Sequence, residues 1–353
     1  MFDSLPVFAV CGYSGSGKTT LLERLVPRLI QSGLRVAVVK HDVHGIEHDL
    51  REKDSHRLFR SGADVVAIGP GESLARTVAR EDTSLETEIG RLVDRYDLVL
   101  LEGFKRWRGR KAWLLRPDQI CAPKDCGPFD LVLPWESDRV PAVEGVLQRF
   151  VVEQADRTPV FGCVLIGGRS SRMGRAKHLL PSAGAPAETW LHRTVRVLQA
   201  CCAEVVLAGS GEVPGDLGHL SRLPDPPGTA GPMAGLLAAL RWAPRASWVL
   251  ASCDLPLLSP RAVRWILSLR RPGVWAVLPR RSEDDPVEPL LAWYDFRCRE
   301  TLELLATADT AALRRIAQHP KCRVALIPRA LANAWQDADT PEQAGRRTIR
   351  AIP

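Results

Sequence analysis

Two glycine-rich loops of different pattern, each entered from an apolar run, constrain this chain more than any other feature. The first is Gly12-Tyr13-Ser14-Gly15-Ser16-Gly17-Lys18-Thr19, followed by Thr20; the second is Leu165-Ile166-Gly167-Gly168-Arg169-Ser170-Ser171-Arg172-Met173-Gly174. The first fits G-x-x-x-x-G-K-[ST], in which backbone N–H groups and a helix N-terminus surround phosphates, the lysine neutralises them and the hydroxyl reaches magnesium. The second has no lysine in that position, so a different chemistry is expected of it.

A chain of 353 residues exceeds one ordinary core, and the duplicated loop agrees with two domains, expected at 1–155 and 158–353. Hydrophobic content of 45% and charged content of 25% are those of a globular chain without low-complexity tracts. No apolar run approaches the roughly 20 residues of a membrane span. The apolar stretch Val7 to Cys11 leads straight into the first loop, which makes it a strand and not a secretion signal, and a cytoplasmic location is expected. The nine cysteines have no Cys-x-x-Cys spacing, which argues against a disulfide framework and against structural zinc. Charge is close to balanced up to Glu153 and clearly basic beyond it, which suits polyanionic ligands. The basic residues are dispersed and no nucleic-acid recognition motif accompanies them, so nucleic acid is not the expected partner.

In the first half, Leu21, Leu22, Leu25, Val26 and Leu29 recur at helical spacing behind the loop, and Gly33 ends that helix. Three apolar runs, Val36 to Val39, Val65 to Ile68 and Leu98 to Leu101, read as parallel strands buried on both faces, giving a doubly wound α/β layout of the P-loop NTPase type. Lys18 is placed for β- and γ-phosphates and Thr19 for the metal. Glu102, at the end of a strand, has two readings: a ligand of the metal shell or its water, or a solvated loop acid. His41, His44 and His48 could converge on a metal, although a loop role is the simpler account. Lys105, Arg106, Arg108, Arg110 and Lys111 read as solvated surface, with an anionic partner as the second reading.

The segments Val39-Lys40-His41-Asp42-Val43-His44, Asp49, Lys53-Asp54-Ser55 and Leu101-Glu102-Gly103-Phe104-Lys105 resemble the molybdopterin-guanine dinucleotide biosynthesis adaptor family, over roughly residues 5 to 153. The resemblance implies a small GTP-binding protein with, at most, weak GTPase activity. Arg51-Glu52 stands where that family usually places a glycine, and no Asn-Lys-x-Asp guanine-reading motif occurs. The preference for GTP therefore comes from the resemblance and not from the residues.

The stretch Val143 to Val152 reads as a closing helix and Gln154 to Pro159 as a polar linker. After it, Val160 to Ile166, Glu204 to Ala208, Trp248 to Ser252 and Val274 to Leu278 read as strands of a Rossmann-like α/β domain. Gly167 and Gly168 permit close backbone approach to phosphates, while Arg172 and Lys177 supply positive charge. Asp254, at a strand's C-terminal end where open α/β sheets bind ligands, could hold magnesium; for a lone aspartate a turn or cap role is the alternative.

Together the second loop through Lys177, Asp225 ahead of Gly231-Pro232-Met233-Ala234-Gly235, Cys253-Asp254-Leu255-Pro256 and Asp339-Thr340-Pro341-Glu342 resemble, in order, the molybdenum cofactor guanylyltransferase family, over about residues 158 to 345. That resemblance implies transfer of GMP from GTP to molybdopterin, with Mg²⁺ as cofactor. It implies that Leu165, Ile166, Gly167 and Gly168 line the nucleotide, Lys177 meets its phosphates, Asp225 lies in the site, Asp254 holds magnesium and Arg172 stabilises departing pyrophosphate. Departures are Ala176, Ala208 or Gly209, and the acids Asp337 and Asp339, where other residues are common. Trp242, Trp248 and Trp265 read as core. The two halves read as a fusion whose partners include molybdenum-cofactor biosynthesis proteins or acceptor molybdoenzymes. The rival readings are the same transfer with CTP, and a non-catalytic carrier of nucleotide or cofactor.

Overall fold

The computed structural model describes residues 5–40, 54–77, 84–167, 176–182, 185–307 and 312–338. The chain forms two compact units, Met1–Arg149 and Phe150–Pro353.

In the first unit β1 (Val7–Cys11) runs into the first glycine loop and α1 (Lys18–Gln31), followed by β2 (Val36–Lys40), α2 (Asp54–Arg60), β3 (Val65–Ile68), β4 (Ser73–Arg76), α3 (Leu85–Val93), β5 (Leu98–Glu102), β6 (Lys111–Leu114), β7 (Leu131–Leu133) and α4 (Arg139–Arg157). Five strands form a parallel sheet in the order β2-β5-β1-β6-β7. Every residue of β1 and β5 is buried, as expected for central strands covered on both faces. Val7, Ala9 and Cys11 pack with Ile89, Val93, Val99, Leu101 and Trp113. Helix α1 turns Leu21, Leu22, Leu25 and Leu29 inward at the 3.6-residue period, while Gly33 follows its end with φ 94°, the left-handed conformation glycine adopts freely.

Three sequence expectations fail here for physical reasons. Val65–Ile68 is not a buried parallel strand; it pairs antiparallel with β4 in a separate hairpin, where Val66 is 65% and Ile68 85% exposed. A four-residue apolar run carries no information about whether neighbours will cover it. Lys111 is not solvated surface: it is buried in β6, and its Nζ donates to the Trp107 carbonyl at 2.5 Å. Gln154 to Arg157 is helix, not linker, since α4 continues to Arg157 and Thr158 N–H still donates to the Gln154 carbonyl at 3.1 Å.

The second unit continues with β8 (Val160–Leu165), β9 (Pro181–Ser182), β10 (Ala185–Thr189), α5 (Trp190–Gln199), β11 (Glu204–Ala208), β12 (Arg222–Leu223), α6 (Gly231–Trp242), β13 (Ser247–Ser252), α7 (Pro260–Ser268), β14 (Ala276–Arg280), β15 (Leu291–Tyr294), α8 (Arg299–Ala306) and β16 (Cys322–Leu326). Seven strands form one sheet in the order β12-β11-β8-β13-β15-β14-β16, in which β15 alone runs antiparallel to its neighbours. Side-chain alternation divides the strands between two cores. Val164, Leu207 and Val249 face Leu191, Val195 and Leu198 of α5. Cys163, Val206 and Trp248 face Met233, Leu236, Leu237 and Leu240 of α6. Trp248 is core as expected, whereas Trp242 is 42% exposed and only meets Trp248 and Phe161 with ring centroids 6.2 Å away.

All nine cysteines are free, five of them buried. No helix among the described residues is long and apolar enough to cross a membrane.

Candidate functional site

The first candidate site is built where β1, β5 and β2 end. Parallel register sets Glu102 beside Val10 and Lys40, so three strand C-termini deliver their last residues to the mouth of the glycine loop. Gly15 and Gly17 hold φ of 76° and 79°, and Gly12 packs so closely that an added Cβ would lie 2.3 Å from Ser16 Oγ and 2.7 Å from the Leu114 carbonyl. The loop is therefore glycine at these points for backbone reasons.

Lys18 opens α1 and donates through Nζ to the Tyr13 carbonyl at 2.8 Å. Thr19 Oγ1 donates to Glu102 Oε1 at 2.6 Å. Glu102 is 7% exposed, which is not the environment of a solvated loop acid. Burial pulls the Lys18 ammonium below its usual range; Glu102 opposes that shift while Lys105 and Lys40 add to it. Two further lysines thus act on Lys18 against the one carboxylate, an excess of positive charge suited to a polyphosphate. Ser16 Oγ is buried and has no hydrogen-bond partner among the described residues, an acceptor and donor inside the cradle itself.

Sequence reasoning missed the groups that brace the loop. Tyr13 stands edge-on to Trp113 at 5.4 Å, with Lys105 Nζ 4.6 Å and the Arg116 guanidinium 5.3 Å from its ring. Arg139 donates to the Ser16 carbonyl at 2.7 Å, the Leu115 carbonyl at 2.5 Å and the Pro134 carbonyl at 2.9 Å. A lone arginine more than a hundred residues from the loop carries no motif that could reveal this role.

The second candidate site lies at the C-terminal end of β8. Ile166 is buried, its N–H donating to the Ala208 carbonyl at 2.8 Å and its carbonyl accepting from Gly211 N–H at 3.1 Å. Gly209 has φ 113°, and a Cβ there would fall 2.2 Å from the Ile166 oxygen, so glycine stands here in place of a side-chain contact. Arg222 donates to the Gly209 and Gly211 carbonyls at 3.3 and 2.8 Å, and the buried His178 ring meets the Glu212 carbonyl at 2.7 Å. Leu165 is half-buried and Gly167 exposed at the strand end.

Lys177 and Asp254 are brought together: Nζ and Oδ2 are 3.9 Å apart, and both side chains keep partial exposure. Asp254 follows β13, one neighbour of β8; the exposed Asp225 follows β12, beyond the other neighbour β11. The Asp254 carbonyl accepts from Ala338 N–H at 3.0 Å, which draws the chain's last described segment to the site. Asp337 there acts on Glu288, whose carboxyl is raised by burial and by Asp337 while Arg281, 3.0 Å away, lowers it. Gly168, Arg172, His41, His44, His48, Asp49, Lys53 and Asp339 lie outside the described residues.

No cluster of three His, Cys, Asp or Glu side chains among the described residues could hold a metal. The oxygen donors present are a hydroxyl with one carboxylate at the first site and one carboxylate at the second. That sparse, hard donor set fits magnesium, which keeps its waters and is completed by substrate phosphates, and does not fit a dedicated all-protein cage.

Comparison with known proteins matches the two parts of the chain to two different families. The family model for molybdopterin guanine dinucleotide synthesis protein B matches residues 7–127, and that for the MobA-like NTP transferase domain matches residues 162–339. The chain is 42% identical over 109 residues to the molybdopterin-guanine dinucleotide biosynthesis adapter protein of Haemophilus influenzae, covering 30% of this chain and 61% of that protein. It is 30% identical over 197 residues to a probable molybdenum cofactor guanylyltransferase of Pelotomaculum thermopropionicum, covering 54% of this chain and 92% of that protein. A molybdenum cofactor biosynthesis bifunctional protein of Synechocystis is 31% identical over 140 residues, covering 39% of this chain and 40% of that protein. The match thus spans about three fifths of the adapter relative's own length.

Proposed function

The chain belongs to the MobA-like NTP transferase family, with a MobB-type segment ahead of that domain, and on that premise we propose that it transfers GMP from GTP to molybdopterin, yielding the guanine dinucleotide cofactor and pyrophosphate. The observation that carries the reading is the Lys177–Asp254 pair, with Asp254 just past the C-terminal end of β13, the parallel neighbour of β8. A fixed ammonium and a hard carboxylate oxygen within 3.9 Å suit a triphosphate with its counter-cation.

In the reaction a molybdopterin phosphate oxygen attacks the α-phosphorus of GTP, a new P–O–P link forms, and the bond to the β-phosphate breaks so that pyrophosphate leaves with its electron pair. No side-chain nucleophile is needed; positioning and charge neutralisation lower the barrier. Lys177 holds the phosphate chain and offsets the charge that develops as pyrophosphate departs. Ile166 and Gly167 present backbone at the strand end, and Gly209 leaves room for it. Asp254 would hold Mg²⁺, which when bound neutralises phosphate oxygens. In the first unit Lys18, Thr19, Thr20 and the loop glycines Gly12, Gly15 and Gly17 hold the phosphates of a second nucleotide, with Thr19 and Glu102 at its magnesium. Tethering the two units raises the effective concentration of whatever the first retains. Enzymes of the same biosynthesis, or those receiving the finished cofactor, are the protein partners this implies.

The test incubates the full chain with molybdopterin, Mg²⁺ and each α-labelled nucleoside triphosphate. Label from GTP should appear in a dinucleotide. Label from CTP instead would transfer the reading to a cytosine dinucleotide, and turnover with neither would leave a carrier.

A further inference from the structure

A cavity of about 330 Å³ opens beside the first glycine loop, walled on one side by Gly17, Thr20 and Arg24 and on the other by Trp135, Ser137 and Asp138 between β7 and α4. Its size falls in the range of small-molecule pockets, roughly 300 Å³ upward. We propose that it is the nucleobase pocket of the P-loop site and that it selects guanine, with Trp135 as the stacking platform and the Asp138 carboxylate reading the N1–H and 2-amino edge; this rests on the reading of that loop as a triphosphate site.

Position comes first. Thr19 turns toward Glu102, on the metal side of α1. Gly17, Thr20 and Arg24 recur three and four residues apart and so share a different stripe of the helix, the one facing the cavity. A phosphate chain that enters over Lys18 and Thr19 and crosses the helix N-terminus leaves its nucleoside end over Gly17 and Thr20. Chemistry comes second. Trp135 is 45% exposed and lines the cavity. Asp138 immediately precedes α4, where an aspartate ordinarily caps the helix, yet its carboxylate makes no hydrogen bond or ion pair among the described residues. A bare carboxylate accepts two parallel N–H groups from guanine, whereas adenine and cytosine present a ring acceptor at the corresponding place and are repelled. Rigidity comes third. Arg139 lies over Trp135 at 5.2 Å while its guanidinium bonds the Ser16 and Pro134 carbonyls, so the stacking platform is fastened to the phosphate loop before any ligand arrives.

The sequence lacks the usual Asn-Lys-x-Asp reader, and Asp138 offers a carboxylate acceptor of the same kind.

The experiment titrates the full chain with GTP, ATP and xanthosine triphosphate and takes the binding that Lys18→Ala removes as that of the P-loop site. In the wild type this site should prefer GTP to ATP. Asp138→Asn should weaken GTP by about tenfold or more and strengthen xanthosine triphosphate, whose 2-oxo group accepts from the new amide. The gain for xanthosine triphosphate shows that the variant is folded. Trp135→Ala should weaken every purine nucleotide by about tenfold without changing the base preference. Asp138→Asn with GTP affinity unchanged and no gain for xanthosine triphosphate overturns the pocket assignment. Absence of any Lys18-dependent site in the wild type instead refutes the P-loop reading beneath it.

Discussion

Thr19 and Glu102, 83 residues apart in sequence, share a 2.6 Å hydrogen bond at the mouth of the first glycine loop. The contact follows from parallel register, since β5 delivers Glu102 opposite Val10 and the loop then carries the chain back over the strand ends to Thr19. A hydroxyl and a carboxylate held together inside a lysine-rich cradle supply two oxygens for the shell of a divalent cation, the rest coming from water and phosphate. Glu102→Gln retains an acceptor for the threonine hydroxyl but removes the charge. It should leave the melting temperature of the first unit nearly unchanged and reduce the magnesium-dependent part of nucleotide binding at the Lys18-dependent site by about tenfold. Titrating nucleotide with and without Mg²⁺ checks this; an undiminished magnesium increment contradicts it.

Lys177 and Asp254 act on the same reacting phosphates in the proposed reaction, so their effects should not add. Lys177→Ala and Asp254→Asn should each lower the rate of dinucleotide formation by about 10²- to 10³-fold, and the double variant should be little worse than either. Single-turnover rates with labelled GTP measure this. Nucleotide binding at the Lys18-dependent site should be unaffected, which separates lost chemistry from lost folding. Strictly multiplicative losses would mean that the two groups serve separate steps.

How much of this was legible in the sequence depends on whether the information is local. The first glycine loop, the strands that lead into both loops and the helix α1 are local patterns, and they appear where the residues place them. Glu102 had two sequence readings because position alone does not report burial; its register beside Lys40 and its bond to Thr19 do. The run Val65–Ile68 misled because its composition resembles that of β5 while it pairs only within a hairpin that leaves Val66 and Ile68 exposed. Lys111 was hidden among surface cations, and only the fold shows its ammonium turned onto the Trp107 carbonyl. Arg139, Trp135 and Asp138 belong to no motif, because their role exists only after β7 has brought them beside α1.

Gly209 and Gly235 offer a contrast between two kinds of close approach. A Cβ at Gly209 would meet the Ile166 backbone oxygen at 2.2 Å from a residue already at φ 113°. Backbone cannot swing aside, so Gly209→Ala should destabilise the second unit by about 2 kcal/mol or more and shift Ile166 and Gly167. A Cβ at Gly235 would meet Leu165 Cδ2 at 2.4 Å and Ala208 Cβ at 3.2 Å, and a leucine tip can change rotamer. Gly235→Ala should cost less, about 1–2 kcal/mol. Denaturant unfolding ranks the two, and transfer activity should be lost more completely in Gly209→Ala than its stability loss alone accounts for. The reverse ranking would show that the Leu165 packing, not the Gly209 backbone, fixes the strand end.

Lys18 should make nucleotide binding at the first site depend on alkaline pH. Burial lowers its folded-state pKa below the ordinary 10.5, so the unfolded chain holds that proton more tightly than the folded one. At neutral pH both states are protonated and the buried charge opposes folding; the opposition disappears as pH rises through the window between the lowered value and 10.5. Phosphate binding has the opposite preference, because the triphosphate favours the ammonium. Affinity should therefore be level near neutrality and fall as pH climbs into that window, where binding takes up a proton from solution. Calorimetric titrations in two buffers of different ionisation enthalpy give the proton count directly, with Lys18→Met removing the uptake. Affinity that stays level beyond pH 10.5, or proton release on binding, would show that Lys18 does not carry its charge to the phosphates.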